Sequence, residues 1–129
     1  MSNPKGLISP LQAKKLNDAY TSRCELVSRD ITKRPDNRST WYALEDIKNF
    51  LNLAEAQAKE LGYEMDGIRI YCGAYESKDG QAGYSTSFIV PTAGKKTGEE
   101  GDGESHDIND ADCLNFGQNG FPPDANYPQ

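Results

Sequence analysis

Residues able to do chemistry are few in this chain, and the densest set runs Asp102-Gly103-Glu104-Ser105-His106-Asp107-Ile108-Asn109-Asp110-Ala111-Asp112. Hard cations take several carboxylate and carbonyl oxygens from one pliable loop, so these residue types suit calcium or magnesium. The spacing departs from an EF-hand. Asp107 stands where that loop needs glycine, and Cys113 where it needs the bidentate glutamate. The competing reading is a solvated acidic linker, because charge-rich glycine segments bury too little apolar surface to order themselves. His106 is the only histidine, so a Ser–His or Cys–His mechanism would have to run through it. Its polar, glycine-rich surroundings are a poor place to lock a base within hydrogen-bond reach.

The remaining chemical candidates are weaker. Cys24, Cys72 and Cys113 are an odd number at wide spacing with no CxxC pair, which argues against a zinc knuckle or a redox dithiol. Reduced thiols acting as small hydrophobes fit better than one disulfide with a spare thiol. Gly73, Gly80 and Gly83 follow neither GxGxxG nor GxxxxGK[ST], and none opens a helix after a strand, so nucleotide binding is disfavoured. No catalytic residue, metal ligand or cofactor is assigned on these grounds. An interaction surface is better supplied: Arg69, Tyr71 and Tyr75 on or just past one strand, Trp41 and Tyr42 at a helix entrance, and Phe116 and Phe121 near the C-terminus. Arginine and aromatics are the side chains enriched at binding hot spots. Against this stands a structural alternative, in which the C-terminal cluster covers that face and Arg69 pairs with a tail carboxylate.

The elements that must position these residues are well marked. Ile8-Ser9-Pro10-Leu11-Gln12 is a capping box with proline at the first helical position. Leu11, Leu16, Ala19, Tyr20 and Val27 then share a broad face, which predicts a helix to about Ser28 lying beside the second helix. Arg29 to Ser39, with Pro35 and Asp36-Asn37, reads as a loop, and Thr40 to Ala43 as a short β-prone run. Leu44 to Leu61 carries the cleanest apolar stripe, Leu44, Ile47, Phe50, Leu51, Ala54, Ala58 and Leu61, with Glu45 and Asp46 in its first turn and Gly62 as a left-handed cap. Gly67 to Tyr75 alternates, with Ile68, Ile70 and Cys72 on one face and Arg69 and Tyr71 on the other. Lys78-Asp79-Gly80 predicts a turn into a second strand, Tyr84 to Val90, closed by Pro91.

These signals predict an α+β fold: two helices packed on a small, mainly antiparallel sheet, with a long Gly/Asp-rich C-terminal tail. The expected organisation is a core at 1–92, a flexible acidic linker at 93–112, and an apolar segment at 113–129 that folds back on the core or docks on a partner. The run from Trp41-Tyr42-Ala43-Leu44-Glu45-Asp46 to Gly67-Ile68-Arg69-Ile70-Tyr71-Cys72-Gly73-Ala74-Tyr75, with Phe88-Ile89-Val90-Pro91-Thr92 and Leu114-Asn115-Phe116-Gly117, resembles a group of small uncharacterised proteins from Bacteroidetes-type bacteria. That resemblance spans roughly Thr40 to the end. It implies a bacterial origin and supplies no activity and no site residues.

Composition narrows the function classes. With 129 residues there is room for one core. A net charge of −6 argues against a general nucleic-acid binder and suits a basic protein partner, as an immunity-type protein would meet, or a cation. No apolar run approaches the roughly 20 residues that span a bilayer. The N-terminus carries no secretory pattern, so the expected location is cytoplasmic. The leading expectation is a non-enzymatic protein-interaction module of a bacterial cell, engaging a protein partner or itself through the aromatic/Arg surface. A cation- or ligand-binding domain using the 102–112 loop is the first alternative. A small enzyme with a site near Arg69, Tyr71 and Glu76 is the second.

Overall fold

The computed structural model describes residues 3–96, 98 and 103–115, together with the backbone of 118–119. Along the chain come α1 (Pro10–Asp30), β1 (Thr40–Trp41), α2 (Leu44–Glu60), β2 (Tyr63–Ala74), β3 (Ser85–Lys96), β4 (His106–Asp107) and β5 (Gln118–Asn119). The fold is α+β. β2, β3 and β4 form an antiparallel sheet in that order, while β1 pairs with β5 in a separate two-stranded ribbon.

Local chemistry accounts for the element boundaries. At α1 the Gln12 amide donates to Ser9 Oγ at 3.2 Å and the Ser9 amide to Gln12 Oε1 at 2.9 Å, closing the capping box. α2 ends at Gly62, whose φ of +86° is the left-handed conformation that glycine adopts at no steric cost. The hairpin turns tightly at Lys78–Gln81 through paired backbone bonds of 2.9 and 2.8 Å, with positive φ at both Asp79 and Gly80. That pair of angles matches the twist of the flanking strands.

The core lies between α2 and the sheet. Phe50 and Ala54 pack on Ile89, with Ile47, Met65 and Leu114 around them. Ala58 packs on Ala93 and Ile108 beside Leu61 and Tyr63. Leu114 therefore folds back on the core, and its backbone joins Ile89 in both directions, at 2.9 and 3.0 Å. Phe116 and Phe121 lie outside the described residues.

Pro91 does not close β3; the strand runs through it to Lys96. The reason is the sidedness of an antiparallel ladder. Ile89 and Pro91 turn their backbone groups toward Leu114 and Ile108, away from β2, and Pro91 needs only its carbonyl there, which accepts from the Ile108 amide at 3.0 Å. A missing N–H on that side removes no bond to β2.

Within 93–112 the described residues include regular structure and buried side chains. The end of β3 and all of β4 fall in this stretch, and Ile108 is only 1% exposed. One large apolar side chain placed against Ala58 and Ala93 anchors an otherwise polar segment, which an average over its composition conceals.

Helix α1 shares no packing seam with α2. It is joined to the body by a polar clamp formed by residues 31–38. Arg38 donates to Thr21 Oγ1 at 3.0 Å and to the Asn17 carbonyl at 2.8 Å, and the Asp36 amide donates to Ser28 Oγ at 2.9 Å. The same segment grips the hairpin: Asp36 accepts from the Ser85 amide at 2.8 Å and from the Ser85 hydroxyl, Asn37 donates to the Ser85 carbonyl at 3.1 Å, and Arg34 to the Ala82 carbonyl at 3.1 Å.

Replacing Asp36 by alanine leaves the Ser85 amide and hydroxyl without their acceptor, and is expected to cost about 1–3 kcal/mol in urea denaturation. At Gly83 an added Cβ would sit 2.1 Å from the Tyr75 carbonyl oxygen and 3.0 Å from that of Glu76. Gly83→Ala is therefore expected to lower stability by about 1–3 kcal/mol in the same measurement, because backbone rather than a pliable side chain must give way.

Candidate interaction surface

The register of β2 on β3 places Arg69, Tyr71 and Gly73 on one sheet face, opposite Val90, Phe88 and Thr86. Cross-strand partners share a face, so this is the side away from Ile89 and α2. Tyr71 stacks on Phe88 with ring centroids 5.2 Å apart and planes at 11°. Its hydroxyl donates to Asp107, and Arg69 reaches Asp107 Oδ1 and the Ser105 carbonyl, both at 3.4 Å. Asp107 is the β4 residue paired with Thr92, which brings its carboxylate onto the same face. Arg69 and Tyr71 are thus engaged with a carboxylate from the acidic stretch.

Beside them a register irregularity between Met65 and Gly67 swings Asp66 out of the ladder. Asp66 accepts from the hydroxyls of Thr92 at 2.7 Å and Ser105 at 2.6 Å. The Ser105 hydroxyl, opposed by burial and aided by Thr92 and backbone amides, holds the Asp66 carboxyl below the ordinary carboxylate range. Sequence reading passes over Asp66, because a bulge leaves no mark in an alternating pattern.

The other sequence candidates are spread apart. Trp41, on β1, is 57% exposed. Tyr42 is half-buried against the Phe50 cluster and donates to the Ser87 carbonyl at 3.3 Å. Tyr75 is exposed just past β2, donating to Asn115 at 3.3 Å. Glu76 lies on the exposed hairpin connection, roughly 15 Å along the strand from Tyr71. His106 is exposed on β4 opposite Ala93. All three thiols are unpaired; Cys24 is buried, and burial followed by the neighbouring Asp112 and Asp107 pushes the Cys113 thiol up, away from nucleophilic character. Among the described residues, no group of three His, Cys, Asp or Glu side chains is placed to hold a metal ion. Among the same residues, no helix is long and apolar enough to cross a membrane.

The largest departure from expectation is the orientation of α1. Asn17, Thr21, Cys24 and Ser28 recur at four-, three- and four-residue intervals, and this small, mostly polar stripe is the one turned inward onto the clamp. Of the face expected to pack beside α2, Leu11, Leu16, Ala19 and Tyr20 point outward and only Val27 is half-buried. Leu16 is 66% exposed and Leu26 51%, with Ala19 and Tyr20 exposed between them. Leu7, Ile8 and Leu11, at the N-terminal end, are exposed as well. Over 21 residues the helix offers a ridge roughly 30 Å long. Charge also divides along the chain. Residues 10–38 hold seven Lys/Arg against four Asp/Glu, whereas the rest of the chain holds seven against sixteen. The inward stripe and this division are both readable in the sequence, the first as a second helical period and the second by counting in segments rather than over the whole.

Compared with known proteins, the chain matches no protein-family model, no curated protein and no solved structure.

The Asp66 network yields a pH prediction. A carboxylate whose folded pKa is lowered contributes stability that is complete above its unfolded value, about 3.9, and is lost as pH falls through the folded value. Asp66 is well exposed, so solvent screening keeps its share small. Asp66→Asn is expected to flatten the decline in melting temperature on the acid side of that range and to leave the slope near neutrality unchanged. Parallel thermal melts across pH check this, and an unaltered acid limb would count against the network.

Proposed function

We propose that this protein is a non-enzymatic protein-interaction module of a bacterial cell, and that α1 is the element it presents to a protein partner or to a second copy of itself. One observation carries the reading: α1 is held to the body by its polar stripe and turns its leucines to solvent. A surface helix ordinarily does the reverse, since burying the apolar stripe is what stabilises it. Contiguous exposed apolar surface on a soluble chain marks an interaction site, and laying an amphipathic helix into an apolar groove is a recurrent mode of recognition. Trp41 and Tyr75 are the sequence candidates best placed to add exposed aromatic area. Arg69 and Tyr71 contribute less, because Asp107 already occupies them. Two exposed thiols and one buried one, all unpaired, suit a reducing compartment, which supports a cytoplasmic location. The acidic remainder of the chain is poorly suited to nucleic acid.

The test is the double variant Leu16→Glu/Leu26→Glu, both sites being exposed. Its unfolding free energy is expected to stay within about 0.5 kcal/mol of wild type. In sedimentation, or in crosslinking within the native cell, wild type is expected to show an oligomer or a partner that the variant loses. A monomeric wild type whose crosslinked species are the same in both forms would sink the proposal.

A further inference from the structure

On the other side of α1 the helix and the clamp segment border an open cleft of about 740 Å³. Cys24, Ser28, Arg29, Lys33, Arg34 and Arg38 line it, so four basic residues stand against one carboxylate, Glu25, with Arg29 alone among the four paired to a carboxylate, Asp30. We propose that this cleft binds a small ligand carrying an oxyanion, a phosphate or a carboxylate, on an apolar body.

Two observations beyond the concentration of charge point this way. First, two of the three guanidinium groups in the cleft wall, those of Arg34 and Arg38, are answered by neutral atoms, while Arg29 is paired with Asp30. Arg34 donates to the carbonyls of Thr32 at 2.9 Å and Ala82 at 3.1 Å and lies 4.0 Å over the Tyr84 ring. Arg38 donates to Thr21 and Asn17, lies 5.6 Å from the Tyr20 ring centre, and its buried Nε has no acceptor. The nearby carboxylates have other partners: Asp18 pairs with Lys14 at 2.6 Å, Asp30 with Arg29 at 2.8 Å, and Asp36 is turned to Ser85. Charge held by carbonyls and rings is only partly compensated, and an anion entering the cleft would complete it. Second, Lys33 sits at a φ of +59°, a conformation unfavourable for a lysine, at the lip of the cleft. Ser28 Oγ accepts from the Asp36 amide, which leaves its hydroxyl hydrogen to donate to a ligand. The buried Cys24 supplies an apolar floor, so an anion with an apolar body gains more than a bare ion.

Titration of the ¹⁵N-labelled full chain with inorganic phosphate, phenyl phosphate and benzoate tests this by amide chemical shift. Saturable shifts confined to Thr21–Arg38 are expected, with phenyl phosphate or benzoate binding more tightly than inorganic phosphate; whichever of those two wins identifies the oxyanion. Added salt should weaken the binding. Arg29→Gln and Lys33→Asn, the second chosen because asparagine tolerates that backbone angle, should each weaken it roughly three- to tenfold. Lys59→Gln on α2 should leave it unchanged. Shifts scattered over lysines elsewhere, no saturation with any of the three anions, or full affinity in both cleft variants would overturn the proposal. The Leu16→Glu/Leu26→Glu variant should bind these anions as wild type does, which separates this site from the outer face of α1.

Discussion

A carboxylate that is only 3% exposed has to find donors, and the ones Asp36 finds connect two parts of the chain that share little apolar contact. Its oxygens take the amide and hydroxyl of Ser85 at the start of β3, while its own amide donates to Ser28 near the end of α1. Arg34, Asn37 and Arg38 repeat the pattern on either side, each reaching a backbone carbonyl or a hydroxyl across the junction. Hydrogen bonds of this kind contribute modestly when made and cost more when left half-made. The attachment of α1 is therefore specific in geometry rather than strong in burial. Solvent entry at the clamp would loosen several bonds at once, since each holds a partner of the next.

The body to which α1 is attached follows a different rule. There β3 is the central strand, and its two edges are paired by unlike means. The β2 edge carries a regular ladder from Gly67 to Ala74, while the opposite edge is met by short pieces: His106–Asp107, the Ile108 amide, and Leu114. Those pieces cover an edge that would otherwise expose unpaired backbone groups. They also bring Ile108 and Leu114 onto α2, so one polar segment both closes an edge and fills the core.

Much of this was readable beforehand. The capping box at Ser9, the stripe of α2 from Ile47 onward, the glycine cap at Gly62 and the turn at Asp79-Gly80 are local signals, and local physics decided them, whereas Leu44, at the head of that stripe, is 71% exposed. The alternation that separates Ile70 from Tyr71 also held in the observed register, but Ile68 and Ile70 are exposed while Tyr71 is half-buried. What escaped was decided by tertiary context. Pro91 ends a strand only if its N–H would have faced a partner, and that depends on which edge it faces. Ile108 is buried only because a space between Ala58 and Ala93 receives it. Arg69 gave equal warrant for an exposed hot spot and for a paired cation, and the placement of Asp107 beside Thr92 pairs it while leaving its side chain 47% exposed.

The orientation of α1 is the most instructive of these cases, because the helix carries two stripes and an apolar reading weighs only one. A leucine face gains from burial only when a complementary apolar surface lies within reach. Here Phe50, Ala54 and Ala58 of α2 pack on Ile89, Ala93 and Ile108, and the hairpin end near α1 offers Ser85, Ala82 and backbone carbonyls. Against such a surface the stripe that fits is Asn17, Thr21, Cys24 and Ser28: small enough for close approach, and supplied with groups that Arg38 and Asp36 can satisfy. The leucines are left outward because the surface that α1 meets is polar, while the exposed Leu53, Ile68 and Ile70 lie on other elements. The same preference for polar contact gathers Arg34 and Arg38 under the helix, so the ridge and the basic cleft arise from one cause and stand on opposite sides of α1.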